Sequence, residues 1–188
     1  MVKIKTTLFI LLLLISFDVG SSKVIISNFV PRTKEEATIN IEIVFNSIEN
    51  KSGIELPAYI DSSYIMFAYE TANDLKIPIK IAFRVMYVES KFKINVVSSE
   101  GAKGMMQVME ETRNYHVEKQ KLDLNNLDDV EQNIKIGMSI LNYQYKRFGS
   151  WKKALIAYNA GASYVTKNKE LPSKTIYYYN FILNENKN

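Results

Sequence analysis

The chain has 188 residues, 47% of them hydrophobic, with 24 basic and 20 acidic side chains, one histidine, no cysteine and a formal charge of +4. The basic residues are scattered, which argues against a nucleic-acid partner, and the lack of cysteine removes disulfides and a lipoprotein anchor. His116, alone and without cysteines, argues against a transition-metal site and the usual Ser-His-Asp or Cys-His machinery; no metal and no cofactor is expected.

Residues 1–22 read as an export signal. Lys3 and Lys5 make a basic n-region, Leu8 to Phe17 an apolar h-region, and Val19 to Ser22 small residues for cleavage. The run is short for a membrane span. Asp18 and the missing Ala-x-Ala keep an uncleaved anchor open as the alternative. Cleavage would remove two lysines and one aspartate, leaving +3, a charge that suits an anionic surface such as the cell wall without selecting it. The mature chain is expected outside the cytoplasm, in the periplasm or cell wall. About 165 residues then remain, enough for one domain held by its core.

Residues 23–60 form an N-terminal extension. Thr33-x-x-Glu36 looks like a capping box, and Ile41, Val44, Phe45 and Ile48 would give a helix an apolar face before a stop near Gly53. The alternation Ile39, Ile41, Ile43, Phe45 suits a strand equally well; a helix is preferred. The stretch carries no evident chemistry and would brace the domain or dock a partner.

From Asp61 the pattern is helical almost throughout. Asp61 or Ser62 can cap a helix with Ile65, Ala68, Tyr69 and Ala72 on its stripe. Pro78 opens the next, running to Phe92, where Ile81, Ala82, Val85, Val88 and Phe92 recur at spacings of three and four. Glu89 lies on that stripe. Burial would raise its pKa, and a helix C-terminus disfavours a further negative charge, so a protonated carboxyl near neutral pH is expected, as a general acid requires. The competing reading is a Glu whose stem packs while its head reaches water.

Ser98 to Gly104 is a loop of mostly small residues, and Met105 to Met109 an apolar run interrupted by Gln107. Residues 110–128 read as a polar, acidic loop ending in a cap, with His116 solvated inside it. A helix follows through Val130, Ile134, Gly137, Met138, Leu141 and Tyr145 to Gly149. Ser150 then caps Trp151 to Ala160, with Gly161 just past its end, and Pro172 opens a last helix before a polar tail at 184–188. The reading is a mainly α single domain.

Several strings together resemble the soluble lytic transglycosylase family, which has the goose-type lysozyme-like fold. They are Glu89-Ser90-x-Phe92, Ser98, Gly101-Ala102-x-Gly104-x-Met106-Gln107, Asn133-Ile134-x-x-Gly137 with Leu141, Ala157-Tyr158-Asn159-Ala160-Gly161, and Tyr178. The resemblance places the catalytic domain at residues 61–188. It implies Glu89 as a single residue acting first as acid and then as base. The muramic sugar's acetamido group and 6-hydroxyl complete the reaction, giving 1,6-anhydro ends. It further implies Ser98 beside the Glu, Met106 and Gln107 on the cleft wall, Tyr158 and Asn159 opposite, and Tyr178 hydrogen-bonded to the catalytic carboxyl. Tyr177 and Tyr179 leave a one-residue shift open, and Ser98 is equally readable as a turn hydroxyl bonding its own backbone.

Departures are Met105, where Leu is usual, and Lys174, where Glu is common. The implied partner is peptidoglycan glycan, bound by a monomer, and the short domain suits an enzyme serving a cell-envelope assembly such as secretion, conjugation or flagella. A lysozyme-type hydrolase and a non-catalytic glycan-binding protein are the alternatives.

Overall fold

The computed structural model describes residues 15–19, 22–26, 34–124 and 126–184. The basic n-region, the start of the h-region, Gly20-Ser21, Thr33, Asn125 and the tail at 185–188 lie outside the described residues. The chain divides into two compact units at Ile43/Val44. In the first, β1 (Ile15–Val19) and β2 (Ser22–Ile26) pair antiparallel with Phe17 opposite Val24. The division falls within α1 (Lys34–Ser52), so the choice between strand and helix over residues 39–45 resolves as helix.

The second unit is a helical body whose core begins earlier than residue 61. Val44 and Ile48, one turn apart on α1, are 1% and 0% exposed, and Ile54 and Leu56 are buried with them. Gly53, at φ 65°, ends the helix by bonding back to Glu49 O. Arg84 fixes this end. Its Nε donates to Ser52 O at 2.6 Å and its Nη1 to Phe181 O at 2.7 Å, so one guanidinium joins three segments.

α2 (Ser62–Asp74) starts at Asp61, whose carboxylate accepts from Ser63 N at 2.8 Å, and buries Ile65, Ala68, Tyr69 and Ala72. α3 (Ile79–Ser90) follows Pro78, whose carbonyl takes the first amides. It stops two residues short of the stripe's end. Lys91 and Phe92 both turn left-handed, at φ 55° and 61°, and this turn swings Phe92 into the core against Phe83 rather than extending the helix. A left-handed residue other than glycine costs about 1–2 kcal/mol, so packing must compensate here.

Residues 110–120 are not loop. They form α4 (Glu110–Gln120), with acids in its first turn and a Glu110–Arg113 ion pair one turn apart. His116 is correspondingly not solvated; it is 2% exposed, edge-on to Tyr115 and Tyr143. α5 (Val130–Phe148) is capped by Asp129, which accepts from Gln132 N at 2.8 Å, and ends on left-handed Gly149. Its middle is buried on nearly every side, which marks a central helix. Around it pack α2, α4 and α6 (Trp151–Ala160). Ser150 occupies the N-cap of α6 but makes no side-chain cap bond. Gly161, at φ 95°, turns the chain into the unforeseen short α7 (Ala162–Thr166). α8 (Ser173–Leu183) follows Pro172 and packs on α3 and α6.

Gly137 on α5 is where the Met105–Met109 segment seats. A Cβ there would lie 2.4 Å from Met106 Cβ and meet nothing that can yield cheaply. Gly137→Ala is therefore expected to lower stability by about 1–3 kcal/mol despite alanine's better helix propensity. Urea unfolding of both forms checks the sign.

Candidate active site

Glu89 sits half-buried in the last turn of α3. Burial pushes its carboxyl up to about 7, against an opposing pull from one hydrogen bond: Tyr178 Oη donates to Oε1 at 2.7 Å. Of three consecutive tyrosines on α8, Tyr178 is the one that faces the acid. Tyr177 is 70% exposed, and Tyr179 is buried beneath the ammonium of Lys152. The hydroxyls of Tyr158 and Tyr178 are held well above the ordinary tyrosine range by burial and then by the charge of Glu89, so both remain donors.

The wall beside Glu89 is built from a loop that uses its polar groups on itself. Ser98 Oγ accepts from Glu100 N at 3.2 Å and Ala102 N at 3.1 Å, which makes it a turn hydroxyl. Gln107, left-handed at φ 47°, donates through Nε2 to Gly104 O at 2.9 Å and Val96 O at 3.2 Å. The side chain of Met106 is 0% exposed, so it cannot form a surface for a glycan; this corrects its expected place on the cleft wall. Its contribution is main-chain. Met106 O accepts from Tyr158 Oη at 2.8 Å, and Met106 N donates to Asn133 Oδ1 at 2.9 Å.

Asn133 is the residue whose role the sequence did not disclose. Almost fully buried on α5, it also donates from Nδ2 to Lys103 O at 2.9 Å and Leu127 O at 3.3 Å. One amide thus satisfies three main-chain groups of two loops, each costing about 1–3 kcal/mol if left buried and unpaired. Gly104, at φ 72°, lies against it so closely that a Cβ would sit 2.4 Å from the amide nitrogen. Ser90 adds a second tie, donating to Met105 O at 2.9 Å. Its advance signal was its place in the Asn133-Ile134-x-x-Gly137 string, which named the residue but not its partners.

Opposite stands the end of α6. Asn159 is exposed, and its Oδ1 accepts from buried Thr175 Oγ1 at 2.8 Å, which fixes the amide's orientation. Gln107, Tyr158 and Asn159 line a cavity of about 560 Å³ together with residues of α4, α5 and α6. The structure thus brings Glu89, Tyr178, Tyr158 and the Met106 main chain together. Glu100 is fully exposed, its carboxyl held below the usual range first by Ser99. Among the described residues no group of three or more His, Asp or Glu side chains is placed to hold a metal. Chemically, the arrangement offers one carboxyl that is half-protonated near pH 7, so it can give up a proton and take one back without leaving its place.

Comparison with known proteins bears on the fold and the family. The fold is similar to that of lytic transglycosylase Slt from Pseudomonas aeruginosa, solved as an inactive glutamate-to-glutamine mutant, with a TM-score of 0.59 and 22% identity over 78% of this chain and 28% of that one. It is likewise similar to the 70-kDa soluble lytic transglycosylase of Escherichia coli, with a TM-score of 0.59 and 24% identity over 81% of this chain and 30% of that one. The complex of the 70-kDa enzyme with bulgecin A matches with a TM-score of 0.51 and 23% identity, over 81% and 26% of the two chains. This chain therefore spans under a third of the length of the enzymes it matches. These likenesses support the mainly α, lysozyme-like fold. A family model described as the transglycosylase SLT domain matches residues 66–181, well over half of the chain, and the protein belongs to that family.

Proposed function

We propose that this chain is a peptidoglycan lytic transglycosylase that cleaves the β-1,4 bond between N-acetylmuramic acid and N-acetylglucosamine. The observation that carries the reading is Glu89, a single carboxyl raised to about 7 by burial and fixed by Tyr178 within a transglycosylase domain. In the proposed reaction Glu89 gives its proton to the glycosidic oxygen as the bond from C1 breaks. The muramic acetamido oxygen supports the electron-poor C1. The Glu89 carboxylate then takes the proton of the same sugar's 6-hydroxyl as O6 bonds to C1. A 1,6-anhydro end forms, no water is consumed, and Glu89 finishes protonated. A hydrolase would need a second carboxylate to orient water. Glu100, the next acid along the loop, is fully exposed and ionised, which supports the transglycosylase reading.

We further read Ser98, Gln107, Tyr158, Asn159 and Tyr178 as the residues that shape and orient the glycan site, with Ser98 and Gln107 acting by holding the loop. Residues 1–22 are proposed to direct export to the periplasm or cell wall. Among the described residues no helix is long and apolar enough to cross a membrane.

Digestion of purified peptidoglycan tests the assignment. Glu89→Gln should lower turbidity clearance by at least about 10²-fold. Products of the unchanged chain should carry muramic ends lighter by one water than hydrolysed ends from the first time point; reducing ends would make the enzyme a hydrolase. Because the active form is protonated, activity should fall as pH rises through about 7.

Stability should follow the opposite logic in the variant. A carboxyl with a raised pKa contributes stability that is complete below about 4.5 and is lost as pH rises through about 7. Glu89→Gln should therefore gain stability relative to the parent between pH 5 and pH 8, by an amount on the order of 3 kcal/mol. Paired denaturant titrations at both pH values measure it.

A further inference from the structure

Two contacts reach α3 from residues that precede the family domain, and they land on either side of Glu89. α1 stops at Ser52, so the carbonyl of that residue lacks the usual helical amide. Arg84, earlier on the same helix as Glu89, fills the place with Nε at 2.6 Å. A Cβ on Gly53 would lie 3.2 Å from Arg84 Nη2, so glycine there also leaves the guanidinium its room. Nη1 donates at 2.7 Å to Phe181 O in the last turn of α8, one turn beyond Tyr178, and the guanidinium lies 5.5 Å from the Phe181 ring centroid. The negative ends of two helix dipoles thus converge on one cation, which is favourable. On the other side of the acid, Tyr59 Oη donates to Lys91 O, within the pair of left-handed residues that ends α3. The bond from Tyr178 to Glu89 by itself leaves the roll of α8 on α3 to side-chain packing. Arg84 adds a directional pin between the same two helices, and Tyr59 holds the turn that the acid's helix runs into.

We propose that Arg84 and Tyr59 are positioning residues for Glu89: with Ser52 as an anchor, they fix α3 on both sides of the acid and hold α8 where Tyr178 can reach it. Both act through other residues, Arg84 through α8 and Tyr59 through the turn after Ser90. Ser52 and Tyr59 lie ahead of the matched residues 66–181, so the segment that joins α1 to α2 becomes a working part of the site. This rests on the reading of Glu89 as the acid.

The full chain is assayed on soluble glycan strands for kcat, KM and pH profile, and the Glu89 carboxyl is titrated by NMR. Arg84→Met should lower kcat about tenfold or more while KM moves less than about twofold. Arg84→Lys keeps the charge but not the fork that spans both carbonyls, so it should recover only part of that loss. Tyr59→Phe removes a hydroxyl from a residue 64% exposed, leaves the core alone and should lower kcat about threefold. Water entering a loosened contact between α3 and α8 reduces the burial that raises Glu89. In Arg84→Met the alkaline limb and the NMR midpoint should therefore both fall below the parent's value of about 7. The ionisable groups on which its charge acts, Tyr178 from α8 and Tyr158 from α6, stay neutral through that range. Gly149→Ala is the stability control. It strains a left-handed turn where a Cβ meets nothing, so it should lower the melting temperature and leave kcat and the limb unchanged. If the variants at Arg84 and Tyr59 melt lower but keep the parent's kcat, limb and NMR midpoint, the proposal is overturned and the enzymatic reading stands. If Arg84→Met does not fold, Arg84→Lys and Tyr59→Phe decide by the same readouts. If the parent digests nothing, the enzymatic reading falls by itself, and the NMR midpoint still decides the positioning role.

Discussion

The hydrogen bond from Tyr178 to Glu89 joins residues 89 positions apart, and most of the second unit is arranged so that it can form out of water. A carboxyl on an apolar helix face is unfavourable to ionise and unfavourable to leave without a partner. Here one tyrosine supplies the partner without supplying a positive charge, so the pKa stays near 7 rather than returning to the ordinary carboxylate range. An arginine or lysine in that place would have lowered it and removed the proton on which the proposed chemistry rests. Neutral donation is therefore the constraint, and α3, α8 and α6 are packed to meet it.

The wall of the site rests on a different economy. The loop from Val96 to Met109 has little regular structure beyond two β-bridges that share Lys103, and it is held by Asn133, Ser90 and Tyr158 acting on its main chain. Two glycines make that possible by absence. Gly104 leaves room for the Asn133 amide and Gly137 leaves room for Met106. Main-chain recognition explains why side chains such as Met105 tolerate replacement of the usual leucine in this segment.

Much of this was legible in the residues. The stripe through Ile81, Val85 and Phe92 located Glu89 on a helix, and turn chemistry placed Asp61, Pro78, Pro172 and Gly149 at helix ends. What was not legible depended on partners far away in sequence. Asn133 pairs with main-chain atoms of Lys103, Met106 and Leu127, which leave no mark on side-chain pattern. α4 escaped because Glu110 to Gln120 contains a single aliphatic residue, Val117, so no stripe announces it. His116 was misjudged for the same reason: polar sequence neighbours said nothing of Tyr143 packing on it from α5. Met106 was placed on the cleft wall from its motif, but a neighbouring glycine drew its side chain inward.

The guanidinium of Arg84 and the acid of Glu89 share a helix, and both take their partners from α8: Phe181 O for one, Tyr178 Oη for the other. α8 is the last helix among the described residues. Loss of α8 would therefore undo two ties at once: Arg84 would lose one of its main-chain acceptors and Glu89 the hydroxyl that holds it, while the ties of Asn133 to the loop main chain would stay in place.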